Sequence, residues 1–245
     1  MANEKPSSDG HNTTKEALLN TAERLYAERG LDAVSMREIT RAAGQRNSTA
    51  LQYHFSSKQI LIAAIVHRRM NEGDTRRLEF LHDLELRGKL DGVRSLAAAI
   101  VEPMVPWIKS PKRSPGEYWV RFLSEVQRHP EFDLVELSKG CSDLGLRRLY
   151  SLLGKQLPHV PDGVLRQRYL ATMSSVVHGL AELERVRQRR RRSRQPFDAE
   201  RAVENLIDMT AGALSAPVSI EVSRRIHVIN HSDPSPALRK PRHRQ

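Results

Sequence analysis

The chain has 245 residues, of which 39% are hydrophobic, so it is long enough for one large domain or two smaller ones and is not disordered throughout. No apolar run could cross a bilayer, and the polar first residues lack the apolar core of a signal peptide. The single cysteine, Cys141, excludes an internal disulfide, and we expect a cytoplasmic protein.

The net charge of +11 comes from two segments. Residues 185–194 contain seven arginines and no acid, which gives +7, and residues 217–245 give +4, so the rest of the chain is neutral. Charge runs are usually solvated, so we interpret the first segment as a loop that joins two helices. The second segment contains several prolines and few apolar residues, and we predict a largely disordered basic tail.

Helical periodicity dominates between a flexible arm, residues 1–12, and this tail, and strand-like alternation is scarce. Three capping boxes mark helix starts: Thr13-x-x-Glu16, Ser35-x-x-Glu38 and Ser56-x-x-Gln59. They predict a first helix over 14–29, ended by Gly30, and a second over 36–43, ended by Gly44. A short third helix is predicted over 48–54, and a fourth begins at Ser57 and Lys58.

Later helices are separated by proline-rich breaks. The fourth helix continues to about Arg87, and further helices are predicted over 91–109, 116–129, 143–156, 162–186 and 198–216, with Asp91, Asp162 and Asp198 as N-caps. The sequence therefore predicts an all-α protein of about nine helices. It divides into a three-helix N-terminal helix-turn-helix domain, residues 13–66, and a helical bundle, residues 67–216.

The second and third helices, joined by a turn that begins at Gly44, have the form of a DNA-binding helix-turn-helix. Such a motif places side chains of its second helix on base edges in the major groove while neighbouring groups hold phosphates. The candidates for contacts at or near bases are Arg46, Asn47, Ser48, Thr49 and Gln52. Arginine suits guanine and glutamine suits adenine, whereas the small polar residues also suit a helix cap. At helix N-termini, Thr14, Ser35 and Arg37 are candidates for backbone contacts.

The segment from Thr13 to Val66 resembles the DNA-binding domain of the TetR family of bacterial repressors. The residues that carry the resemblance are Ile39, Ala43, Gly44, Tyr53, His54, Phe55, Ser57, Lys58 and Leu61. The resemblance implies that Tyr53, His54 and Lys58 hold phosphates of operator DNA. It also implies that the second domain is helical, forms a homodimer and senses a small molecule.

A sensing domain needs an apolar cavity with a few polar groups. Both tryptophans of the chain fall near one proline-rich break, and the candidate pocket residues are Met104, Trp107, Trp119, Phe122, Leu123, Met173, Val177 and His178. The alternative is that they are ordinary core, with His178 a satisfied interior histidine. The implied effector is a largely apolar small molecule.

The last two predicted helices each carry an apolar stripe at helical spacing. The stripe residues are Tyr169, Val176, Leu180 and Leu183 on one helix, and Val203, Leu206, Ile207, Thr210 and Leu214 on the other. Because a palindromic operator requires a symmetric reader, we expect these faces to form the homodimer. An intramolecular core is the alternative.

No motif in the sequence indicates catalysis. It contains no Gly-rich phosphate loop, no Gly-x-Ser-x-Gly elbow and no His-Glu-x-x-His, so we expect no catalytic residues, no cofactor and no metal site. The predicted function is a repressor that binds a pseudo-palindromic operator as a homodimer and is released by a ligand. One alternative is an architectural or partner-controlled DNA binder without a small-molecule ligand. Another is a purely protein-binding helical domain.

Overall fold

The computed structural model describes residues 8–45, 54–109 and 114–229, and within these ranges it is helical, with no β-strand. The predicted all-α class is confirmed. The elements are α1 (Ser8–Arg29), α2 (Met36–Ala42), α3 (Lys58–Leu86), α4 (Val93–Val101), a 3-10 helix (Glu102–Met104), α5 (Val105–Lys109), α6 (Trp119–Arg128), α7 (Leu134–Leu137), α8 (Leu144–Gln156), α9 (Asp162–Arg192), α10 (Ala199–Ser215) and α11 (Ile220–Ile229). None of these helices is long and apolar enough to span a membrane.

The first helix ends as predicted but begins earlier. Gly30 has a φ of +84°, and its amide donates to the carbonyl of Tyr26 at 2.9 Å, which closes the last turn of α1. Because α1 starts at Ser8, Thr13 lies inside the helix, and the predicted capping box does not begin it. Glu16 instead pairs with Arg68 of α3 at 2.5 Å.

Serine hydroxyls cap α2 and α3. The Ser35 hydroxyl accepts from the amide of Glu38 at 3.2 Å, which confirms the predicted start of α2. At α3 the cap is Ser57, not Ser56, and it accepts from the amide of Ile60 at 3.2 Å. From this cap α3 runs without a break to Leu86, through the predicted domain boundary at residue 66, so one helix belongs to both parts of the protein.

The helix predicted over 91–109 is divided. It begins after Gly92, which has a φ of +105° and makes no side-chain cap, so Asp91 is not the cap. It then tightens into the 3-10 helix, because Pro103 cannot donate to the helical ladder. Asp198 does cap α10, accepting from the amide of Arg201 at 2.9 Å.

One expectation for the charged segments is wrong. The segment predicted as a solvated loop is helical as far as Arg192, because arginine is a good helix former and cations stabilise a helix C-terminus. Arg185 and Arg189 also pair with Glu182 at 3.6 and 2.7 Å. Within the tail predicted to be largely disordered, α11 forms over Ile220–Ile229, and the Ser219 hydroxyl at its start accepts from the amide of Val222 at 3.3 Å. The remaining tail, 230–245, lies outside the described residues.

Candidate DNA interface and ligand cavity

Only part of the predicted DNA interface belongs to the described ranges. Arg46, Asn47, Ser48, Thr49, Gln52 and Tyr53 lie outside the described residues. Within them, Ser35 and Arg37 are exposed at the start of α2, and Lys58 is the first residue of α3. Phe55 is buried and anchors the chain entering α3, so the start of this helix is fixed against the core. Thr14 and His54 are partly buried.

A charged triad ties the start of α3 to the second domain. Asp32, in the turn between α1 and α2, accepts from Lys58 at 3.2 Å and lies 3.0 Å from Nε2 of His129, just after α6. Hydrogen bonds from His129 and then Lys58 hold the pKa of the Asp32 carboxyl below its usual value. Lys58 therefore has a carboxylate partner that a DNA phosphate would have to replace or share.

The second domain contains a cavity of about 110 Å³. Six of the eight predicted pocket residues line it: Met104, Trp107, Trp119, Leu123, Met173 and Val177. Phe122 instead packs in the core between Tyr26 and Trp119, with ring centroids 6.2 and 5.9 Å away. His178 lies against its own helix, with Nδ1 3.1 Å from the carbonyl of Ser174.

The cavity wall also holds buried charges that the sequence analysis missed. Asp74 accepts from the Ser142 hydroxyl at 2.6 Å and from the amides of Gly145 and Leu146 at 3.0 and 3.3 Å. Arg77 donates to the carbonyl of Ala99 at 3.2 Å, and burial lowers its pKa. Both side chains line the cavity, so its lining is apolar with a fixed polar edge.

A third missed residue, Arg69, joins the cavity to the DNA-binding helices. It is buried and lines the cavity, and its guanidinium donates to Glu23 of α1 at 2.8 Å and to Glu72 at 2.9 Å. Desolvation raises the pKa of Glu23 even though Arg69 and Arg68 oppose that rise. A buried charged pair of this kind holds two elements in one relative position, because separating the partners leaves an unpaired buried charge.

A sequence signal for these charges was available. The buried stripe of α3 continues from Ile62 through Arg69, Gly73 and Arg77 to Leu81 at spacings of three and four. Continuing the apolar spacing of Ile62 and Ile65 along this helix therefore places both arginines inward. Buried arginines need hydrogen-bond acceptors, so arginines within a buried stripe indicate that the helix makes specific polar contacts as well as apolar packing.

A second connection between the domains runs through α6. Arg121 donates to the carbonyl of Ala27, in the last turn of α1, at 3.0 Å, and lies 3.5 Å from Glu184 of α9. Glu184 is only 1% exposed, and burial raises its pKa to about 7. Its Oε1 accepts from the Gln188 amide at 2.8 Å. A carboxyl group with a pKa near neutral pH therefore lies where α1, α6 and α9 meet.

The predicted dimer face requires correction. Seven of its nine residues are buried within one chain, because α10 packs against both α9 and α4: Tyr169, Val176, Leu180, Val203, Ile207, Thr210 and Leu214. Leu183 and Leu206 are partly buried against the same core. The stripes are genuine, but their partner is the chain itself. The opposite faces of α9 and α10 carry the exposed residues Leu170, at 57%, and Met209, at 63%.

These features together define a DNA-binding helix-turn-helix transcription regulator with a separate helical domain. Residues 18–65 match the model of bacterial regulatory proteins of the tetR family, and residues 98–213 match the model of a tetracyclin repressor-like C-terminal domain. The chain belongs to the TetR family. A search of curated proteins found no match.

Solved structures similar to this chain have low sequence identity to it. The transcriptional regulator FadR from Bacillus subtilis, in complex with stearoyl-CoA, is 13% identical with a TM-score of 0.56, covering 83% of this chain and 98% of FadR. NemR of E. coli in its reduced form is 19% identical, with a TM-score of 0.47 and coverages of 84% and 100%. RolR in complex with resorcinol is 14% identical, with a TM-score of 0.47 and coverages of 94% and 100%.

Proposed function

We propose that the protein is a homodimeric repressor that binds a pseudo-palindromic operator and releases it when a small molecule enters the cavity of the second domain. The observation that carries the proposal is the position of Arg69. This residue lines the cavity and is paired with Glu23 of the DNA-binding helix α1. A ligand that moves Arg69 therefore acts on the DNA-binding helices through a single contact.

The same cavity has a second route to α1. Trp119 lines it and contacts Phe122, which contacts Tyr26. Aromatic side chains in a close-packed core cannot shift one at a time, so displacement of Trp119 is transmitted to the end of α1. Release of DNA then follows from a change in the angle between the DNA-binding helices and the bundle, because two half-sites must be held at a fixed spacing.

The cavity limits the chemistry of the effector. A void of about 150 Å³ holds benzene, so a cavity of about 110 Å³ limits the effector to a compound of at most one small ring, to which the cavity walls must adjust. Gln127 Oε1 is buried without a hydrogen-bond partner among the described residues, and its side chain lines the void. A hydroxyl group on the ring supplies a donor for this oxygen. We therefore favour a small hydroxylated aromatic effector.

The dimer is proposed to form through the outward faces of α9 and α10. Leu170 and Met209 are large apolar side chains left exposed there, and Gly212 and Ala213 next to them are also exposed. Small residues beside large apolar ones allow two helices to approach closely and exclude water from the contact. Two copies of this face meeting about a two-fold axis build a four-helix contact.

The test uses the two tryptophans, which are the only ones in the chain and both line the cavity. A panel of hydroxylated single-ring compounds is titrated against the full chain while tryptophan fluorescence and operator binding are recorded. We expect a related group of compounds from this panel to change the tryptophan fluorescence and to release DNA over the same concentration range. Fluorescence change without release would contradict the proposed coupling.

Val177→Phe supplies the matched variant, because it fills the cavity from α9. Its control is Val135→Phe, which makes the same change at an exposed site on α7. Val177→Phe should bind operator and lose the response to the effector, while the control keeps both. If both variants respond like the wild type, the effector binds elsewhere.

An architectural DNA binder remains the alternative function, and the exposed arginines of α9 are the observation in its favour. Such a protein binds random duplex DNA almost as well as any selected sequence, with steep salt dependence. The ratio of affinities for selected and random duplex at near-physiological salt separates the two functions.

A further inference from the structure

The C-terminal end of α9 is a cationic surface held in a fixed conformation. Residues 185–194, called here the arginine end, are helical as far as Arg192 and are exposed from Arg189 onward. Helix ordering costs conformational freedom, and seven positive charges within ten residues repel one another. The helix dipole offsets part of that repulsion at the C-terminus, but only within the last turn.

Acidic neighbours compensate only the first part of this surface. Arg185 pairs with Glu125 of α6 at 3.5 Å, and Arg189 pairs with Glu182 at 2.7 Å. Arg191, Arg192 and Arg194, in contrast, form no ion pair with any residue that the structure describes. The uncompensated charges are therefore the exposed ones at the tip, where an external anion can reach them.

The tip lies beside the DNA-binding helices. An open cleft of about 510 Å³ separates α9 from the end of α1, with Arg185, Arg189 and Arg192 on one side and residues 27–30 on the other. Arg29, in the same cleft, pairs with Glu38 in the first turn of α2. That turn is next to Ser35 and carries Arg37, the candidate phosphate contacts, so the cleft links the arginine end to the start of α2.

We propose that the arginine end is a second DNA-contacting surface, which binds backbone phosphates of duplex DNA flanking the bases that the helix-turn-helix contacts. This inference rests on the proposed operator binding and assigns to the second domain a direct part in it. The expectation that these arginines form a solvated loop without a defined surface fails because the segment is helical as far as Arg192 and faces the end of α1 across this cleft.

The spacing of the charges favours a duplex over a small anion. Duplex DNA carries one negative charge for about every 1.7 Å of its axis, so it presents a row of phosphates rather than one. Arg191 and Arg192 are successive residues at the end of the helix and Arg194 follows it, so three uncompensated charges lie within four residues and can reach several phosphates of a duplex. A single free phosphate neutralises one or two of them and leaves the others repelling.

The experiment compares two double variants that remove the same charge. In Arg191→Gln/Arg192→Gln both changes lie in the arginine end, and in Arg224→Gln/Arg225→Gln both lie on the exposed surface of α11. Full-length proteins are titrated against a duplex that the wild type selects from a random library. This duplex is used in two lengths. The short duplex contains only the base pairs whose substitution alters affinity, and the flanked duplex adds further base pairs on both sides.

We expect the arginine-end variant to bind the flanked duplex about tenfold more weakly, with a salt slope shallower by about 0.9 for each phosphate that the variant no longer neutralises. Its affinity for the short duplex, and that of the α11 variant for both, should stay within about twofold of the wild type. Equal weakening in the two variants, or equal weakening on both duplexes, would overturn the inference. If the wild type selects no sequence, the operator-binding proposal fails instead, so the two failures are distinguishable.

Discussion

Gly145 and Gly154, two glycines of α8, should respond in opposite ways to replacement by alanine. A Cβ at Gly145 would lie 2.8 Å from the Asp74 carboxylate, 3.1 Å from the Asp74 carbonyl oxygen and 3.3 Å from Cβ of Arg77. A Cβ at Gly154 would meet nothing within 4 Å. The first substitution therefore forces α8 away from α3 at the wall of the cavity, and the second only stiffens the helix.

The magnitude follows from these contacts. Ordinary contact begins at 3.4 Å, so the Asp74 carboxylate must retreat by about 0.6 Å, which lengthens the hydrogen bonds it accepts from Ser142, Gly145 and Leu146. Overpacking of a core costs about 1–3 kcal/mol, whereas alanine in a helix gains roughly 0.5–1 kcal/mol over glycine. We expect Gly145→Ala to destabilise the fold by about 1–2 kcal/mol. Gly154→Ala should stabilise it by up to about 1 kcal/mol.

Thermal denaturation of the two variants beside the wild type measures this difference. For a chain of this length each kcal/mol moves Tm by about 2–4 °C, so the two variants should differ by roughly 5–10 °C. Effector binding should also weaken in Gly145→Ala alone, because Asp74 lines the cavity. Equal melting temperatures for both variants would refute the close approach of α8 to α3.

Three further predictions concern charge, assembly and DNA contact. Because burial raises the pKa of Glu184 from 4.5 to about 7, the native state binds the extra proton, and wild-type stability falls as pH rises through that window. Glu184→Gln removes this fall, so its stability relative to the wild type should rise by up to about 3 kcal/mol between pH 4.5 and pH 8, measured by urea denaturation. Leu170→Glu with Met209→Glu should yield monomers in sedimentation, whereas Leu86→Glu, also exposed, should not; a dimeric double variant would exclude the proposed face. Lys58→Ala should weaken binding to selected and random duplex about equally, since a phosphate contact carries no sequence information, and weakening confined to the selected duplex would make Lys58 a base contact instead.

The sequence was sufficient where local chemistry determines structure. Ser35 and Asp198 cap helices as predicted, and Gly30 ends α1 with a positive φ, because these residue types satisfy the free backbone groups at a helix terminus. Six pocket residues also meet at one cavity, since two tryptophans beside a proline-rich break have few places to be buried.

Contacts between distant parts of the chain determine the features that the sequence did not predict. The apolar stripes of the last two long helices were assigned to a partner subunit, but periodicity shows that a face is buried and not which chain buries it. The charge of residues 185–194 predicts a solvated loop, yet the segment is helical as far as Arg192, and acids on α6 and α9 compensate its first turn. Arg69 was missed because a charged residue interrupts an apolar pattern unless its partner, here Glu23 about 46 positions earlier, is known.

The most direct test of the account is protection of DNA by the full chain in the presence and absence of an effector. A library of genomic fragments selected by the protein should yield a short pseudo-palindrome, and nuclease footprinting should show protection of both half-sites. A hydroxylated single-ring compound that alters tryptophan fluorescence should abolish that protection at the same concentration. Protection that extends evenly over any fragment and is unaffected by every compound bound in the cavity would contradict a ligand-controlled operator-binding regulator.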